Sequence, residues 1–135
     1  MWTNWAGNQT ASIKLTRPAT LTALQSTVSE SQNLRVVGAG HSFTPIVAGA
    51  DRILDLSELQ MPTVGSVEDG QVWVNANARL RDLSLALAQH GFAFRNLGDI
   101  NAQSLAGAAS TATHGTGQEL PSIAAELTAA KLVGA

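Results

Sequence analysis

Val36-Val37-Gly38-Ala39-Gly40-His41-Ser42-Phe43 joins an apolar run to two glycines, a histidine and a serine. A strand that feeds a glycine-rich turn can aim consecutive backbone N–H groups at one point, which is a way to hold a pyrophosphate without cationic side chains. Three familiar templates fail on it. A dinucleotide fingerprint needs a third glycine where Phe43 stands, and Pro45 occupies the start of the required helix. A P-loop needs Gly-Lys-Ser/Thr, and no lysine is near. A Gly-x-Ser-x-Gly nucleophile elbow meets Thr44 where its last glycine belongs. The competing explanation is a tight turn that carries a packed histidine.

Asn101 to Gly117 is built almost entirely of Ala, Gly, Ser and Thr, apart from Asn101, Gln103, Leu105 and His114. Small residues let a backbone approach a flat or bulky partner, and the hydroxyls and N–H groups offer hydrogen bonds. An Ala-rich helix with a flexible loop behind it accounts for Ala106 to Ala112. It leaves unexplained the gathering of Thr111, Thr113, His114 and Thr116 around Gly115 and Gly117. Two polar, glycine-bearing loops in so short a chain point to one extended ligand. The three histidines show no His-x-x-x-His or His-plus-carboxylate spacing, so no metal site is expected. His90 ends a helical pattern, where capping carbonyls is its ordinary role. Ser42, His114 and Asp99 can be written down as a triad, but chance assembles such lists in any protein. Trp2, Trp5 and Trp73 read as core or surface-anchor aromatics.

The elements that must position these loops follow from apolar spacing. Ser12 to Arg17 is extended and is halted by Pro18. Thr20 can cap a helix with Leu21, Leu24 and Val28 on one face. Leu34 to Val37 is a compact strand, Arg52 to Leu56 a second, and Gln71 to Ala76 a third, with Asp69-Gly70 as a hairpin turn before it. Leu80 to His90 is the clearest helix, with Leu80, Leu83 and Leu87 at helical spacing and Gly91 just past its end. Leu127 to Val133 reads as a last strand before Gly134-Ala135. Strands and helices alternate irregularly, so the fold expected is α+β and not a doubly wound sheet.

Composition narrows the function. The 135 residues carry 8 basic and 10 acidic side chains, a net charge of −2, with 44% hydrophobic and 13% charged residues and no cysteine. That suits one globular domain. The basic residues are scattered, which argues against nucleic acid. Without cysteine there is no disulfide frame and no thiolate nucleophile. Positions 100 to 118 lack formal charge, yet their many amides and hydroxyls would be costly in lipid, so no membrane span is expected there. The start, Met-Trp-Thr-Asn-Trp, has neither the basic residues nor the apolar run of a signal peptide, and the cytoplasm is the expected location.

Asn4-Trp5, Val36 to Thr44, Asn96-Leu97-Gly98-Asp99-Ile100, Ser104-Leu105-Ala106-Gly107 and Thr111-Ala112-Thr113-His114-Gly115-Thr116-Gly117 occur in this order. Together they resemble the FAD-binding domain of the vanillyl-alcohol-oxidase-type flavoproteins. The likeness is strongest to the sugar-1,4-lactone (gulonolactone and arabinonolactone) and alditol oxidases. The resemblance implies the first part of a PCMH-type FAD-binding domain, α+β, with small sheets flanked by helices. It makes residues 1–135 the N-terminal portion, with the second half and the substrate (cap) domain outside this chain. It implies that Val36, Val37, Gly38, Ala39, Gly40, His41 and Ser42 wrap the FAD pyrophosphate. His41 would be the point of covalent attachment to the flavin 8α-methyl. Asp99, Ser104, Gly107, Thr111, Ala112, Thr113 and His114 would line the flavin and its diphosphate, Asp99 being the position at which members vary. Catalytic residues would lie outside this chain. The implied reaction oxidises a CH–OH group of a sugar lactone or alditol, with a hydride passing to flavin and electrons to oxygen or another acceptor. The alternatives are a noncatalytic nucleotide-binding module or an inactive structural fragment. The fragment by itself is expected to be inactive and to self-associate through the open edge of the Leu127 to Val133 strand.

Overall fold

The computed structural model describes residues 1–134 and divides them into two compact units. One comprises Met1–Gln60 with the end of the chain from Lys131, the other Met61–Ala130. The first unit opens with a short antiparallel pair, β1 (Trp2–Thr3) and β2 (Thr10–Ala11). Next come β3 (Lys14–Thr16), helix α1 (Leu21–Ser29), β4 (Leu34–Val37) and β5 (Arg52–Asp55). The last three strands form a parallel sheet in the order β3-β5-β4. Parallel strands need a crossover, and α1 supplies it between β3 and β4.

Thr20 starts α1 as expected, its hydroxyl accepting from the Ala23 N–H at 3.2 Å. The side buried is that of Leu24 and Thr27, with Leu21 left exposed. The Thr27 hydroxyl, buried with its turn, donates to the Ala23 carbonyl at 2.8 Å. As the central strand, β5 buries Ile53 and Leu54 together, as expected of a strand covered on both faces. Ile53 packs with Ala11, Val37 and Val47, and Trp2, Ile13 and Leu15 close over them.

The second unit begins with the hairpin β6 (Val64–Glu68) and β7 (Gln71–Val74). Its turn residues Asp69 and Gly70 both have positive φ, 49° and 73°, the conformation a two-residue hairpin turn demands. Helix α2 (Leu80–Gln89) follows, and Gly91 ends it at φ 78°. Then come α3 (Leu105–Ser110) and a short 3-10 helix, Ile123–Glu126. Leu80, Leu83 and Leu87 bury the α2 stripe against Leu105, Ala108 and Ile123. These small sheets and three helices bear out the α+β expectation.

One element fails to form. Leu127 to Val133, expected as a terminal strand, has no strand conformation, and Leu127 closes the 3-10 helix with its N–H on the Ala124 carbonyl. Alternation of apolar residues does not make a strand without a ladder to pair with. None of the three sheets among the described residues includes them. The self-association argued from that edge therefore loses its physical basis. Ala135 lies outside the described residues. Among those described, no helix is long and apolar enough to cross a membrane.

Candidate functional site

β4 delivers the chain into the loop from Gly38 to Thr44 with Val37 anchored in the core and Val36 exposed. Three carbonyls of this loop are tied to the N-terminal segment. Gly40 O accepts from the Trp5 N–H at 2.9 Å. Ser42 O accepts from Asn4 Nδ2 at 2.9 Å, and Phe43 O from Gln9 Nε2 at 3.0 Å and Asn8 Nδ2 at 3.4 Å. The N–H groups of Ala39 to Phe43, by contrast, donate to no other group among the described residues.

The loop's hydrogen bonding is thus one-sided: three of its carbonyls are occupied and a run of five donors is left over. Backbone donors require partners, and such a run suits an anion. No Lys or Arg occurs from 36 to 51, so the amides themselves would have to hold the charge. Gly40 has φ +68°. A Cβ there would meet Trp2 and Asn4 at ordinary distances of 3.5 and 3.6 Å, so the backbone angle, not space, calls for glycine.

His41 sits half-buried in this loop, its ring stacked on the Trp5 indole with centroids 4.9 Å apart and planes 19° from parallel. Ser42 Oγ pairs with Thr44 Oγ1 at 2.9 Å. The support beneath is Asn4, only 4% exposed. Its Nδ2 also donates to Asn8 Oδ1 at 2.7 Å, and its Oδ1 accepts from the Gln9 N–H at 3.0 Å.

The second loop is built by close backbone approach. The segment from Asn96 to Gly98 runs beside Thr113 to Gly115. A Cβ on Gly98 would lie 3.2 Å from the His114 carbonyl, and one on Gly115 would overlap the Asn96 side-chain oxygen and the Leu97 carbonyl. Asn96 is buried and donates to the Pro121 carbonyl at 3.3 Å.

Ser104, 2% exposed, caps α3 by accepting from the Gly107 N–H at 3.3 Å. Leu105 and Ala106 donate to the Ala78 and Ala76 carbonyls at 3.0 and 2.8 Å, so the first-turn donors of α3 are already spent inside the protein. Thr111 Oγ1 donates to the Gly107 carbonyl at 2.9 Å and lies 3.3 Å from Thr113 Oγ1, which in turn meets the Gln103 amide. Ala112 adopts φ +51°, held there by the flanking bond from Thr113 N to Ala108 O at 3.0 Å.

His114 Nδ1 lies 2.7 Å from the Gly115 carbonyl. A carbonyl only accepts, so Nδ1 carries the hydrogen, and Nε2 makes no bond among the described residues. Asp99 is exposed and makes no hydrogen bond or ion pair among the described residues.

The expected residues therefore fall into two local constellations, Val36 to Ser42 in the first unit and Ser104, Gly107 and Thr111 to His114 in the second. Ser42 Oγ pairs with Thr44 and His114 Nδ1 with Gly115, and among the described residues neither bonds to another member of the triad written above. Among the described residues, no three His, Cys, Asp or Glu side chains gather as metal ligands. Sequence reasoning missed the service of Asn4, Asn8 and Gln9 to the first loop. Asn4-Trp5 entered it only as part of a motif.

Residues 15–135 match the family described as FAD binding domain. The chain is 35% identical over its whole length to an L-gulono-1,4-lactone dehydrogenase of Mycobacterium tuberculosis, covering 33% of that protein. Over 98% of its length it is 36% identical to an alditol oxidase of a Streptomyces species, again covering 33%. It thus spans about a third of the length of these two relatives. Among solved structures it resembles cholesterol oxidase from B. sterolicum, with a TM-score of 0.69 and 23% identity over 84% of this chain and 24% of that one. That likeness concerns the fold. A one-sided amide loop, a glycine-packed second loop and a family match over residues 15–135 converge: the chain belongs to the FAD-binding-domain family.

Proposed function

We propose that this chain is the N-terminal portion of the FAD-binding domain of an oxidoreductase that oxidises a CH–OH group of a sugar lactone or alditol. The observation that carries this is the run of N–H groups from Ala39 to Phe43 that are unbonded among the described residues, beside the occupied carbonyls of Gly40, Ser42 and Phe43. These amides fit a pyrophosphate, with Val36 to Ser42 wrapping it and no Lys or Arg in the loop. Thr111, Ala112, Thr113 and His114 are assigned to the flavin side. There the backbone packs closely into a wall at Gly98 and Gly115, and His114 Nε2 has no bond among the described residues. Ser104 and Gly107 support that wall through the α3 cap, and Asp99 is assigned to its rim.

His41 is proposed as the covalent attachment point. When bound, FAD supplies the redox chemistry, taking a hydride from the carbinol carbon and releasing electrons to an acceptor. The base that removes the hydroxyl proton, the remainder of the domain and the substrate (cap) domain are proposed to lie in sequence beyond this chain. Cytoplasmic residence belongs to the same proposal and is tested by cell fractionation.

The test is FAD binding followed by flavin fluorescence quenching, together with assays of the complete encoded protein on aldonolactones and alditols. Gly40→Val, which forces a β-branched residue into φ +68°, is expected to weaken FAD binding by about ten-fold or more, since such strain costs of order 1–3 kcal/mol. Unchanged affinity in that variant would refute the role of the loop. A protein that purifies without visible absorbance and binds no FAD would favour a nucleotide-binding module of another kind.

A further inference from the structure

Two consecutive residues hold His41 from three directions. The Trp5 N–H donates to the carbonyl of Gly40, just before His41, at 2.9 Å. Asn4 Nδ2 donates to the carbonyl of Ser42, just after it, at 2.9 Å. The Trp5 indole covers one face of the imidazole. With the backbone pinned on both sides and the ring stacked, the His41 side chain is confined to a narrow range of rotamers. Stacking occupies the face of the ring and leaves the in-plane lone pair at its edge uncovered.

Trp5 is 65% exposed, so it buries little apolar surface for its size, and core packing does not explain an indole there. The family match begins at residue 15, so both residues lie ahead of it.

We propose that Asn4 and Trp5 are positioning residues for attachment of flavin to His41, an inference that rests on the reading of His41 as the attachment point. In that step an imidazole nitrogen of His41 forms a bond to the 8α carbon. The imidazole N–H hydrogen and one hydrogen of the 8α-methyl leave as protons. The two electrons released reduce dioxygen, which takes up both protons and becomes hydrogen peroxide. Bond formation needs the nitrogen lone pair held in line with one carbon, which a ring fixed from both sides and one face satisfies at no further entropic cost.

The experiment uses the complete encoded protein, prepared free of flavin and then given FAD in air. Flavin that stays with the acid-denatured polypeptide is followed over time, and FAD affinity is read separately by rapid quenching. Wild type is expected to accumulate acid-stable flavin, and His41→Ala to bind FAD but release all of it.

Trp5→Ala should slow attachment roughly ten- to a hundred-fold. Its FAD affinity should change about three-fold or less, the split expected of a positioning role. Trp5→Phe, which can still stack, should recover most of the rate, and Asn4→Ala should slow it too. Should Trp5→Ala precipitate, Trp5→Leu against Trp5→Phe separates bulk from stacking. Attachment at the wild-type rate in the Ala or Leu variant, or a Phe variant no faster than it, overturns the positioning role and leaves His41 in place. Release of all flavin from wild type, or acid-stable flavin in His41→Ala, overturns the attachment reading and the positioning role with it.

Discussion

At Gly115 even a methyl group has no room, because it would overlap the Asn96 side-chain oxygen and the Leu97 carbonyl. Neither obstacle can swing aside, since one is a backbone atom and the other belongs to a buried amide bonded to Pro121. Gly115→Ala is therefore expected to destabilise the protein by about 1–3 kcal/mol, the range for forced overpacking. Urea unfolding followed by circular dichroism checks it, and an unchanged midpoint would show that the two segments part freely. The glycine, histidine and hydroxyl types of both loops were legible in the sequence because their chemistry is local. The work of Asn4 was not. Its amide reaches Ser42 across 38 positions, and no local spacing encodes such a contact.

Strand β3 and strand β5 are fastened at one end by Arg17 and Asp55, whose Nε and Oδ2 lie 2.8 Å apart. Burial pushes the Asp55 carboxyl up. The bonds from Arg17 and from the Ser57 N–H and hydroxyl, with the Arg17 charge, outweigh it and leave the group below the ordinary carboxylate value. A carboxyl lowered on folding adds stability above its unfolded pKa, and that stability is lost as the pH falls through the lowered folded value. Unfolding free energy should thus decline more steeply below about pH 4 in wild type than in Asp55→Asn. The difference should be no more than about 1 kcal/mol, because Arg17 is 45% exposed. Parallel acid titrations of the two proteins decide it.

Elements with a strong apolar period and clear punctuation were legible: α1 with its Thr20 cap, α2 with Gly91, β4, and β7 behind Asp69-Gly70. The two-residue strands β1 and β2 are too short to show a period. β6 hides behind Gly65 and a register shift between Val64 and Val67. The terminal stretch misled because its apolar residues resemble a strand, while strand identity depends on a partner elsewhere in the chain.

The molecule has two hydrophobic cores, one around Ile53 and one around Leu80, Leu83 and Ile123, and each supports its own loop. The spacing of Leu80, Leu83 and Leu87 was legible in the sequence, but the division into two cores and the place of Ala11 in the first were not. A domain trimmed to the family boundary at residue 15 would lose those two residues and every donor that ties Gly40, Ser42 and Phe43. Deletion of residues 1–14 is accordingly expected to weaken FAD binding by at least about ten-fold, as loss of a preorganised loop does. Titration of the trimmed and complete proteins with FAD measures this, and equal affinities would show that the loop holds its shape unaided.

The one-sided bonding of that loop also separates two properties that usually travel together. Resistance of an amide to deuterium exchange is commonly taken as a sign of rigidity, but it reports whether the N–H itself is bonded. The segment Ala39 to Phe43 is held through the carbonyls of Gly40, Ser42 and Phe43, while its N–H groups have no partner among the described residues. They would take up deuterium like a frayed terminus while remaining in place. A map of exchange rates would mark as loose the very segment that is kept ready for its ligand.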